Sequence, residues 1–197
     1  METWEINGHT LEFDNDTHTY IADGVIIPSV TQAIKNITGD MYEGISADIV
    51  RRAGERGTFI HKALEEYCRN GTESDLDELR GFKFLQKQYD IVALANEVPV
   101  LLCDNNKPIM AGRLDILGLV NGKVAILDIK TVSAMSPKYK AYLSYQLNLY
   151  RVAYEQSYTV GIETLGGLHL RGNTRKLIEV KIDDFAVKEV LESLKHE

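Results

Sequence analysis

The sequence predicts an α/β fold, in which a central mixed β-sheet flanked by helices follows an N-terminal β-meander. Short apolar strands separated by Asn-Asp and Asp-Gly turn signals open the chain, and longer apolar runs joined by an Asn-Gly turn fill its middle. Segments in which apolar residues recur at helical spacing lie on both sides of those runs in the sequence. Strands wrapped by helices in this way are typical of α/β architecture.

Local signals define the elements of the first half. Three short strands are expected between the turn signals, at residues 11–13, 18–21 and 25–27. Ser29 and Gln32 form a capping-box pattern, so a helix is expected to begin at Val30 and to end before Gly39. Two further regions show the apolar spacing of amphipathic helices, residues 46–70, with an interruption allowed near 54–57, and residues 76–89.

The second half supplies the main sheet. Its core strands are expected at residues 98–103, 109–120 and 123–130. Pro137 begins a helix that runs to about residue 156, because proline is favoured in the first turn. The remaining elements are a hairpin around Gly172-Asn173 and a helix capped by Asp183, at residues 165–170, 176–182 and 185–194.

The Asn-Gly turn at 121–122 sets the register of the central hairpin, because this dipeptide is the strongest short-range signal for a two-residue type I′ turn. That register brings Asp115 opposite Asp128. It also brings Arg113 opposite Lys130. The two-residue period of a strand would put all four charged side chains on one face of the sheet.

Two directly opposed carboxylates need compensation, because at a separation of about 5 Å and an effective dielectric constant of about 20 they repel by roughly 3 kcal/mol. A divalent cation between them, protonation of one of them, or neutralisation by Arg113 and Lys130 would remove that repulsion. Structural ion-pair networks also gather charges, so a salt-bridged ladder is the alternative to a functional site.

Size and composition narrow the possible functions. The 197 residues, of which 44% are hydrophobic, predict one globular domain spanning residues 1–197. No apolar stretch approaches the ~20 residues of a membrane span and the first residues do not resemble a signal peptide, so we expect no membrane partner and a cytoplasmic location. The formal net charge of −7 argues against a protein that coats nucleic acid through bulk electrostatics. It does not exclude a nuclease, whose metal-binding carboxylates add to the negative count.

Two helical patterns add candidate site residues. Gly57, His61 and Glu65 recur every four residues and therefore share one helix face. Gln146 and Tyr150 are also one turn apart, so that their amide and hydroxyl groups could reach phosphate oxygens together. Taken alone, each pattern is more often that of an ordinary packed helix.

Three tyrosines precede this last pair on the same predicted helix, at positions 139, 142 and 145. Aromatic side chains can stack on unpaired bases in single-stranded nucleic acid. The alternative is that they pack in the amphipathic manner of an ordinary helix, which fits most of them better.

Four segments, in this order, resemble motifs of the PD-(D/E)XK nucleases: Gly57-Thr58-x-x-His61-x-x-x-Glu65, Gly112-Arg113-Leu114-Asp115, Ile126-Leu127-Asp128-Ile129-Lys130-Thr131 and Gln146-x-x-x-Tyr150. The likeness is to the RecB-type branch, which includes many small phage exonucleases, and it extends over most of the chain as far as Tyr150. It implies a restriction-endonuclease-like core.

The resemblance also implies a metal-dependent active site. His61, Asp115 and Asp128, with the backbone carbonyl of Ile129, would hold one or two Mg²⁺ or Mn²⁺ ions, which prefer oxygen ligands. Lys130 would orient or activate the attacking water and stabilise charge on the phosphate, so Asp115, Asp128 and Lys130 are the implied catalytic residues. A histidine among the ligands favours Mn²⁺ somewhat more than an all-oxygen site would.

Other residues have implied accessory or substrate-contacting roles, namely Gln146, Tyr150, Glu65 and Arg113. The first two would contact the DNA backbone or fix the catalytic lysine, and Glu65 would support His61. Glu97, one strand earlier, is a weaker match for an additional carboxylate.

The implied function is a metal-dependent DNA exonuclease that hydrolyses phosphodiester bonds in phage or bacterial recombination and repair. A structure-specific endonuclease and a non-catalytic DNA-binding module that retains the fold are the alternatives. Iron-sulfur members of the branch need four cysteines, and no cysteine follows Cys103 here, so no such cluster is expected. A helicase or recombination partner would be a separate chain, and a homo-oligomer is left open because no self-association surface is identified.

Overall fold

Two β-sheets and five α-helices build residues 1–196, the part of the chain that this computed structural model describes. The strands are β1 (Glu2–Ile6), β2 (His9–Asp14), β3 (Thr19–Ala22), β4 (Val25–Ile27), β5 (Ile91–Asp104), β6 (Lys107–Val120), β7 (Lys123–Lys130), β8 (Thr164–Arg171) and β9 (Thr174–Val180). The helices are α1 (Val30–Thr38), α2 (Ala47–Asn70), α3 (Asp77–Tyr89), α4 (Pro137–Tyr158) and α5 (Asp184–Ser193), followed by a 3-10 turn at Leu194–His196. Among these described helices, none is both long enough and apolar enough to cross a membrane.

The strands follow their sequence order in both sheets. β1 to β4 form an antiparallel meander, and β5 to β9 form the main sheet. In the main sheet only β7 and β8 are parallel, because α4 connects them as a crossover helix. The chain therefore has the predicted α/β organisation, with an N-terminal meander followed by a mixed sheet.

Helices cover both faces of the main sheet, and neighbouring residues of β7 show this alternation. Ile126 is fully buried in a cluster with α1, α4 and α5, whereas Leu127 is fully buried in a second cluster with α2 and α3. Each such side chain contributes roughly 1.5 to 3 kcal/mol through its burial. The meander packs on the end of β5 and β6 through a third cluster, which includes Leu11 and Leu101.

The central hairpin has the predicted register. Val120 lies opposite Lys123, and the pairing continues outward to Ile116 opposite Leu127. Both turn residues, 121–122, have positive φ angles of 49° and 79°, as a type I′ turn requires. The register prediction is confirmed over this part of the hairpin.

Two elements differ from the prediction by more than shifts of one or two residues at their ends. Helix α2 continues without interruption through Gly54 and Gly57, because a glycine costs only about 1 kcal/mol in a helix interior and the burial of Ile60 and Leu64 on this helix offsets that cost. Strand β5 begins at Ile91 instead of residue 98. Its early part carries a register shift and a polar Asn-Glu pair, which hide the strand from an apolar-run criterion.

Strand β1 is an additional element that the sequence does not predict. It pairs with β2 from Glu2 opposite Phe13 to Ile6 opposite His9. Only Ile6 of its five residues is buried, so the strand has little apolar signal of its own. The ladder with β2 supplies the backbone partners that make it a strand.

An ion pair between a half-exposed arginine of α2 and a buried glutamate of α3 lies against the turn between β8 and β9. The Glu78 carboxylate, whose side chain is 1% exposed, accepts hydrogen bonds from Arg56 at 2.6 Å and from the backbone N–H of Gly172 at 3.0 Å. Burial acts to raise the pKa of Glu78, but the N–H of Gly172 and the Arg56 guanidinium outweigh it and hold that pKa below its usual range.

We expect Glu78→Gln to lower the free energy of unfolding by about 1.5 to 3 kcal/mol near neutral pH, the range for hydrogen bonds to charged groups. Because the folded-state pKa of Glu78 is depressed, this stabilisation is complete above the unfolded-state pKa of about 4.3. It is lost as pH falls through the folded-state value. Urea unfolding from about pH 7 to about pH 3 measures the effect. A difference between wild type and variant that stays constant over that series would contradict the assignment.

Candidate active site

The residues singled out in the sequence converge where β6 and β7 separate. Asp115 comes from β6, and Asp128 and Lys130 come from the end of β7. Helix α2 supplies His61 from one side, and α4 supplies Gln146 from the other. The fold therefore brings residues from all four motif segments to one region.

The β6–β7 ladder ends just before the two acids. Its last described pair is Ile116 opposite Leu127, one residue closer to the turn than Asp115 and Asp128. The Asp115 carboxylate instead accepts a hydrogen bond from the backbone N–H of Ile129 at 2.7 Å. In a continued ladder that N–H would donate to the carbonyl of Leu114, because hydrogen-bonded pairs alternate along antiparallel strands. The predicted cross-strand pairing of Asp115 with Asp128 is therefore not formed, since a side chain has taken the place of the backbone partner.

The four charged side chains of the hairpin do not share one sheet face, so that prediction is wrong. Leu114 packs in the cluster on α1, α4 and α5, whereas Ile116, two residues later, packs in the cluster on α2 and α3. Strict alternation thus fails around Asp115. Its carboxylate lies beside His61 of α2, while Lys130 reaches α4. The facing of β6 changes where β7 no longer pairs with it.

Arg113 does not stand opposite Lys130, which corrects a second part of the same prediction. Its guanidinium forms ion pairs with Glu2 of β1 at 3.0 Å and with Glu97 of β5 at 3.2 Å. It also lies over the ring of Phe13, 4.7 Å from the ring centroid. Arg113 therefore ties the meander to the main sheet at the edge of the site.

His61, Glu97 and Asp115 each offer one ligand atom, and these three atoms lie within 4.8 Å of one another. Two ligands on opposite sides of an ion bound at about 2.1 Å would be about 4.2 Å apart, so a small movement of the side chains would bring all three atoms onto one divalent ion. Glu97 has a positive φ of 49° and falls opposite Asp115 in the β5–β6 register. Asp128, a predicted ligand, lies outside this group. Glu97, the weaker match in the sequence, belongs to it.

The imidazole of His61 is oriented by two neighbours. Its Nε2 lies 3.1 Å from the backbone carbonyl of Ile129, and because a carbonyl can only accept, Nε2 must donate. Nδ1 then faces Asp115, 3.5 Å from its Oδ2, and is the nitrogen that would exchange its proton for an ion. The Ile129 carbonyl thus orients His61, and the ligand role that the resemblance implies for this carbonyl stays a prediction.

The electrostatics at His61 favour a positive charge. Burial lowers the pKa of this histidine, but the charge and hydrogen bond of the Asp115 carboxylate outweigh that effect and raise the pKa to about 9. Burial also acts to raise the pKa of Asp115, and His61 nevertheless holds it below its usual range. Burial raises the pKa of Glu97, and repulsion from Asp115 adds to this. A negative potential of this kind is what a cation site needs.

Lys130 is held between two side chains. Its Nζ lies 2.6 Å from Oδ2 of Asp128 and donates to Oε1 of Gln146 at 2.8 Å. Burial acts to lower the pKa of Lys130, but the Asp128 carboxylate raises it above its usual value. The contact that an accessory role of Gln146 requires is therefore present.

The Asp128 carboxylate is buried and is paired with Lys130 through its Oδ2. Burial raises the pKa of Asp128 to about 6; Lys130 opposes this rise and Asp115 adds to it. The pKa values of Asp115 and Asp128 are thus pushed apart, which is the behaviour of neighbouring carboxylates with different environments.

Glu65 does not support His61 as predicted. Its carboxylate pairs with Arg69, one turn further along α2. The side-chain contacts of His61 described above are with Ile129 and Asp115. A four-residue spacing puts His61 and Glu65 on one helix face, but Arg69 has the same spacing from Glu65 on its other side and pairs with it instead.

Tyr150 is 7% exposed and packs against Gly112. A Cβ atom at Gly112 would lie 2.6 Å from Cε1 of Tyr150 and 3.3 Å from Val30 of α1, closer than real contacts allow. The glycine in the Gly-Arg-Leu-Asp segment therefore leaves room for the tyrosine ring beside Asp115.

We expect Gly112→Ala to lower the free energy of unfolding by about 1 to 3 kcal/mol, the usual cost of overpacking, because the Tyr150 ring must move. Gly54→Ala is the matched control, since an added Cβ there meets nothing within 4 Å. That change should be neutral or stabilising by up to about 1 kcal/mol. Equal stability of the two variants in urea would contradict the close contact.

Two residues of β8 fix the chain after Lys130, and the sequence does not single them out as site residues. His169 donates from Nε2 to the carbonyl of Val132, and Arg171 donates to the carbonyl of Thr131, both at 2.8 Å. The parallel pairing puts His169 opposite Lys130, so His169 and Arg171 lie beside the chain that leaves the end of β7. Only knowledge of that pairing would have identified them.

Three cavities adjoin the site. A groove of about 760 Å³ runs between α2 and the meander, with Lys62, Arg69 and Arg113 among its lining residues. The acid cavity, of about 290 Å³, is lined by residues that include His61, Glu97, Asp115 and Tyr150. The tyrosine cavity, of about 360 Å³, lies on the other side of the site and is lined by residues that include Lys130, Gln146, Tyr42, Tyr139 and Tyr142. Thr31 lines both the acid cavity and the tyrosine cavity, so the two are neighbours.

Comparison with known proteins leaves the chain without a family. No family model matches the sequence, and no curated protein is similar to it. One solved structure, described as "Crystal structure of SSO0001", has a TM-score of 0.46 and 13% sequence identity, covering 85% of this chain and 74% of that chain. Similarity at this level identifies no activity.

Proposed function

We propose that this protein is a metal-dependent deoxyribonuclease with a PD-(D/E)XK core, and that it acts as an exonuclease. The observation that carries the proposal is the meeting of two groups at the β6–β7 separation. One is the cluster of His61, Glu97 and Asp115, whose spacing and charge suit a divalent ion. The other is Lys130, held by Asp128 and Gln146. The sequence motifs that resemble this nuclease superfamily supply most of the same residues.

His61, Glu97 and Asp115 would hold one Mg²⁺ or Mn²⁺ ion, with two carboxylates suiting either ion and the imidazole favouring Mn²⁺. The fit is supported by the spacing of the three ligand atoms and by the negative potential that Asp115 creates at His61. When bound, such an ion supplies Lewis acidity, which makes water more acidic and offsets negative charge on a phosphate oxygen.

The remaining work of catalysis falls to the chain's own side chains. The Lys130 ammonium would donate to a phosphate oxygen and stabilise the charge that develops there. Because Asp128 and Gln146 already fix its position, little reorganisation is needed during the reaction. Hydrolysis forms a bond from the water oxygen to phosphorus and breaks the bond from phosphorus to one sugar oxygen; the water gives up one proton to solvent and the departing sugar oxygen takes one up. The Asp128 carboxylate, which also pairs with Lys130, would accept a hydrogen bond from the water.

The DNA strand would approach along the groove beside α2. Lys62, Arg69 and Arg113 line this groove together with the acids Glu2, Glu65 and Glu97. Arg69 and Arg113 are paired with these acids, so a phosphate would compete with the carboxylates for them. The site adjoins the groove, since His61 and Glu97 line both the groove and the acid cavity.

A time course on end-labelled DNA tests the proposed activity. We expect wild-type protein to digest linear DNA from its ends with Mg²⁺ or Mn²⁺, and to leave it intact with a chelator. A covalently closed circle should resist digestion. Cleavage of the circle would show that the enzyme is an endonuclease. If no substrate is cleaved with either metal, the nuclease proposal is contradicted.

A further inference from the structure

The tyrosine cavity has aromatic walls from two parts of the chain. Tyr42 comes from the connection between α1 and α2, and Tyr139 and Tyr142 come from the first turns of α4. Its volume of about 360 Å³ lies in the range of small-molecule sites, roughly 300 to 1,000 Å³. Tyr42 is 49% exposed, so its side chain is not part of the hydrophobic core. None of these three tyrosines belongs to the motifs that indicate a nuclease.

The aromatic surfaces stand beside the catalytic lysine. The rings of Tyr139 and Tyr142 have centroids 5.8 Å apart and are tilted by 46°. Nζ of Lys130 lies 5.8 Å from the centroid of Tyr142. Burial raises the pKa of both tyrosines, that of Tyr142 to about 12, so the two rings stay neutral in the physiological range.

Polar contacts at the rim hold the loop that carries Tyr42. Lys35 of α1 forms an ion pair with Asp40 at 3.1 Å. Lys138 of α4 donates to the backbone carbonyl of Asp40, also at 3.1 Å. These contacts connect the loop to both helices that border the cavity, so they favour this arrangement of the aromatic walls in the free protein. Preorganisation of this kind lowers the entropic cost of binding.

We propose that the tyrosine cavity binds one unpaired nucleobase of the substrate strand, so that the enzyme acts on single-stranded or frayed ends. This inference rests on the proposed function, because it takes the scissile phosphate to lie at Lys130. A strand that passes from the acid cavity past Thr31 enters the tyrosine cavity, since Thr31 borders both. Every base has a face that can stack on tyrosine, but a base inside a duplex is covered by its neighbours and cannot enter.

Fluorescence of 2-aminopurine tests this inference without cleavage. A ten-nucleotide single strand with 2-aminopurine at one end is titrated with protein in the presence of a chelator. We expect wild-type protein to quench the fluorescence through stacking. Tyr42→Leu and Tyr139→Leu should remove most of the quenching and weaken binding about fivefold or more, the effect of losing one stacked base. Tyr42→Phe should retain both.

Phe185→Leu is the matched control, because Phe185 is 75% exposed and does not line the cavity. Circular dichroism melting verifies that each variant is folded, and the exposed position of Tyr42 makes that variant informative even where Tyr139→Leu is unstable. Wild-type binding without quenching, or quenching by Tyr42→Leu equal to wild type, would overturn the inference. Metal-dependent cleavage without quenching rejects the base site alone. Quenching without cleavage under any metal supports the base site and rejects the nuclease.

Discussion

Asp115→Asn should abolish the binding of Mn²⁺ that we expect for the wild-type protein, weakening it by more than about 100-fold. The substitution removes the negative charge that Asp115 contributes beside His61 and Glu97. It retains the size of the side chain and an oxygen that can still accept the N–H of Ile129. The loss should therefore be one of metal affinity and not of folding, and calorimetric titration with Mn²⁺ measures it directly.

Glu65→Gln is the control for that titration. Glu65 borders the groove next to His61 but pairs with Arg69 and lies outside the metal-capable group. It should bind Mn²⁺ with wild-type heat. If Asp115→Asn also retains that heat, the ion is held elsewhere and the assignment of the group is wrong.

Lys130→Met should lower the rate of DNA hydrolysis by about 10²- to 10³-fold or more, the usual effect of removing one group that stabilises transition-state charge. Methionine fills a similar volume but cannot donate to a phosphate oxygen. Binding of Mn²⁺ should persist, because Lys130 is not among the three ligand residues. Single-turnover cleavage of an end-labelled oligonucleotide, with a parallel Mn²⁺ titration, separates the two effects.

Stability must be measured alongside, since Lys130→Met leaves the Asp128 carboxylate buried without its cation. Breaking a buried pair in this way typically costs about 3 to 5 kcal/mol. Lys130→Met combined with Asp128→Asn removes that penalty and should still be inactive. Lys123→Met, an exposed position beside the hairpin turn that lines none of the three cavities, should keep near wild-type hydrolysis. A folded Lys130→Met protein that cleaves DNA at the wild-type rate would refute the role of this lysine.

The hairpin shows how far turn chemistry carries a prediction. Positive φ angles at 121–122 follow from Asn-Gly, and they fix the register as far as Ile116 opposite Leu127. The prediction fails beyond that pair, because a two-residue period holds only while both strands remain paired. At Asp115 the side chain replaces the backbone partner, and no local pattern in the sequence indicates that replacement.

The candidate site also contains residues that the sequence identifies and one that depends on strand pairing. His61, Asp115, Asp128 and Lys130 lie in segments with recognisable motifs, and the fold brings them to one region. Glu97 enters the metal-capable group through a positive φ and the β5–β6 register, which depend on pairing distant in sequence. Its one local signal is the polar Asn-Glu pair in an otherwise apolar strand.

The loop that carries Tyr42 has no regular pattern, so its approach to α4 could not be read from the sequence. Its position depends on contacts of Asp40 with two lysines from different helices. Such contacts between distant segments follow from tertiary packing and not from local propensity. The tyrosine cavity is therefore visible only in the structure.

Crystals soaked in Mn²⁺ and measured at its absorption edge test the central claim most directly. The account predicts an anomalous peak in bonding contact with Nδ1 of His61 and with carboxylate oxygens of Glu97 and Asp115. A peak at another position only, or no peak in this group at saturating Mn²⁺, would contradict it.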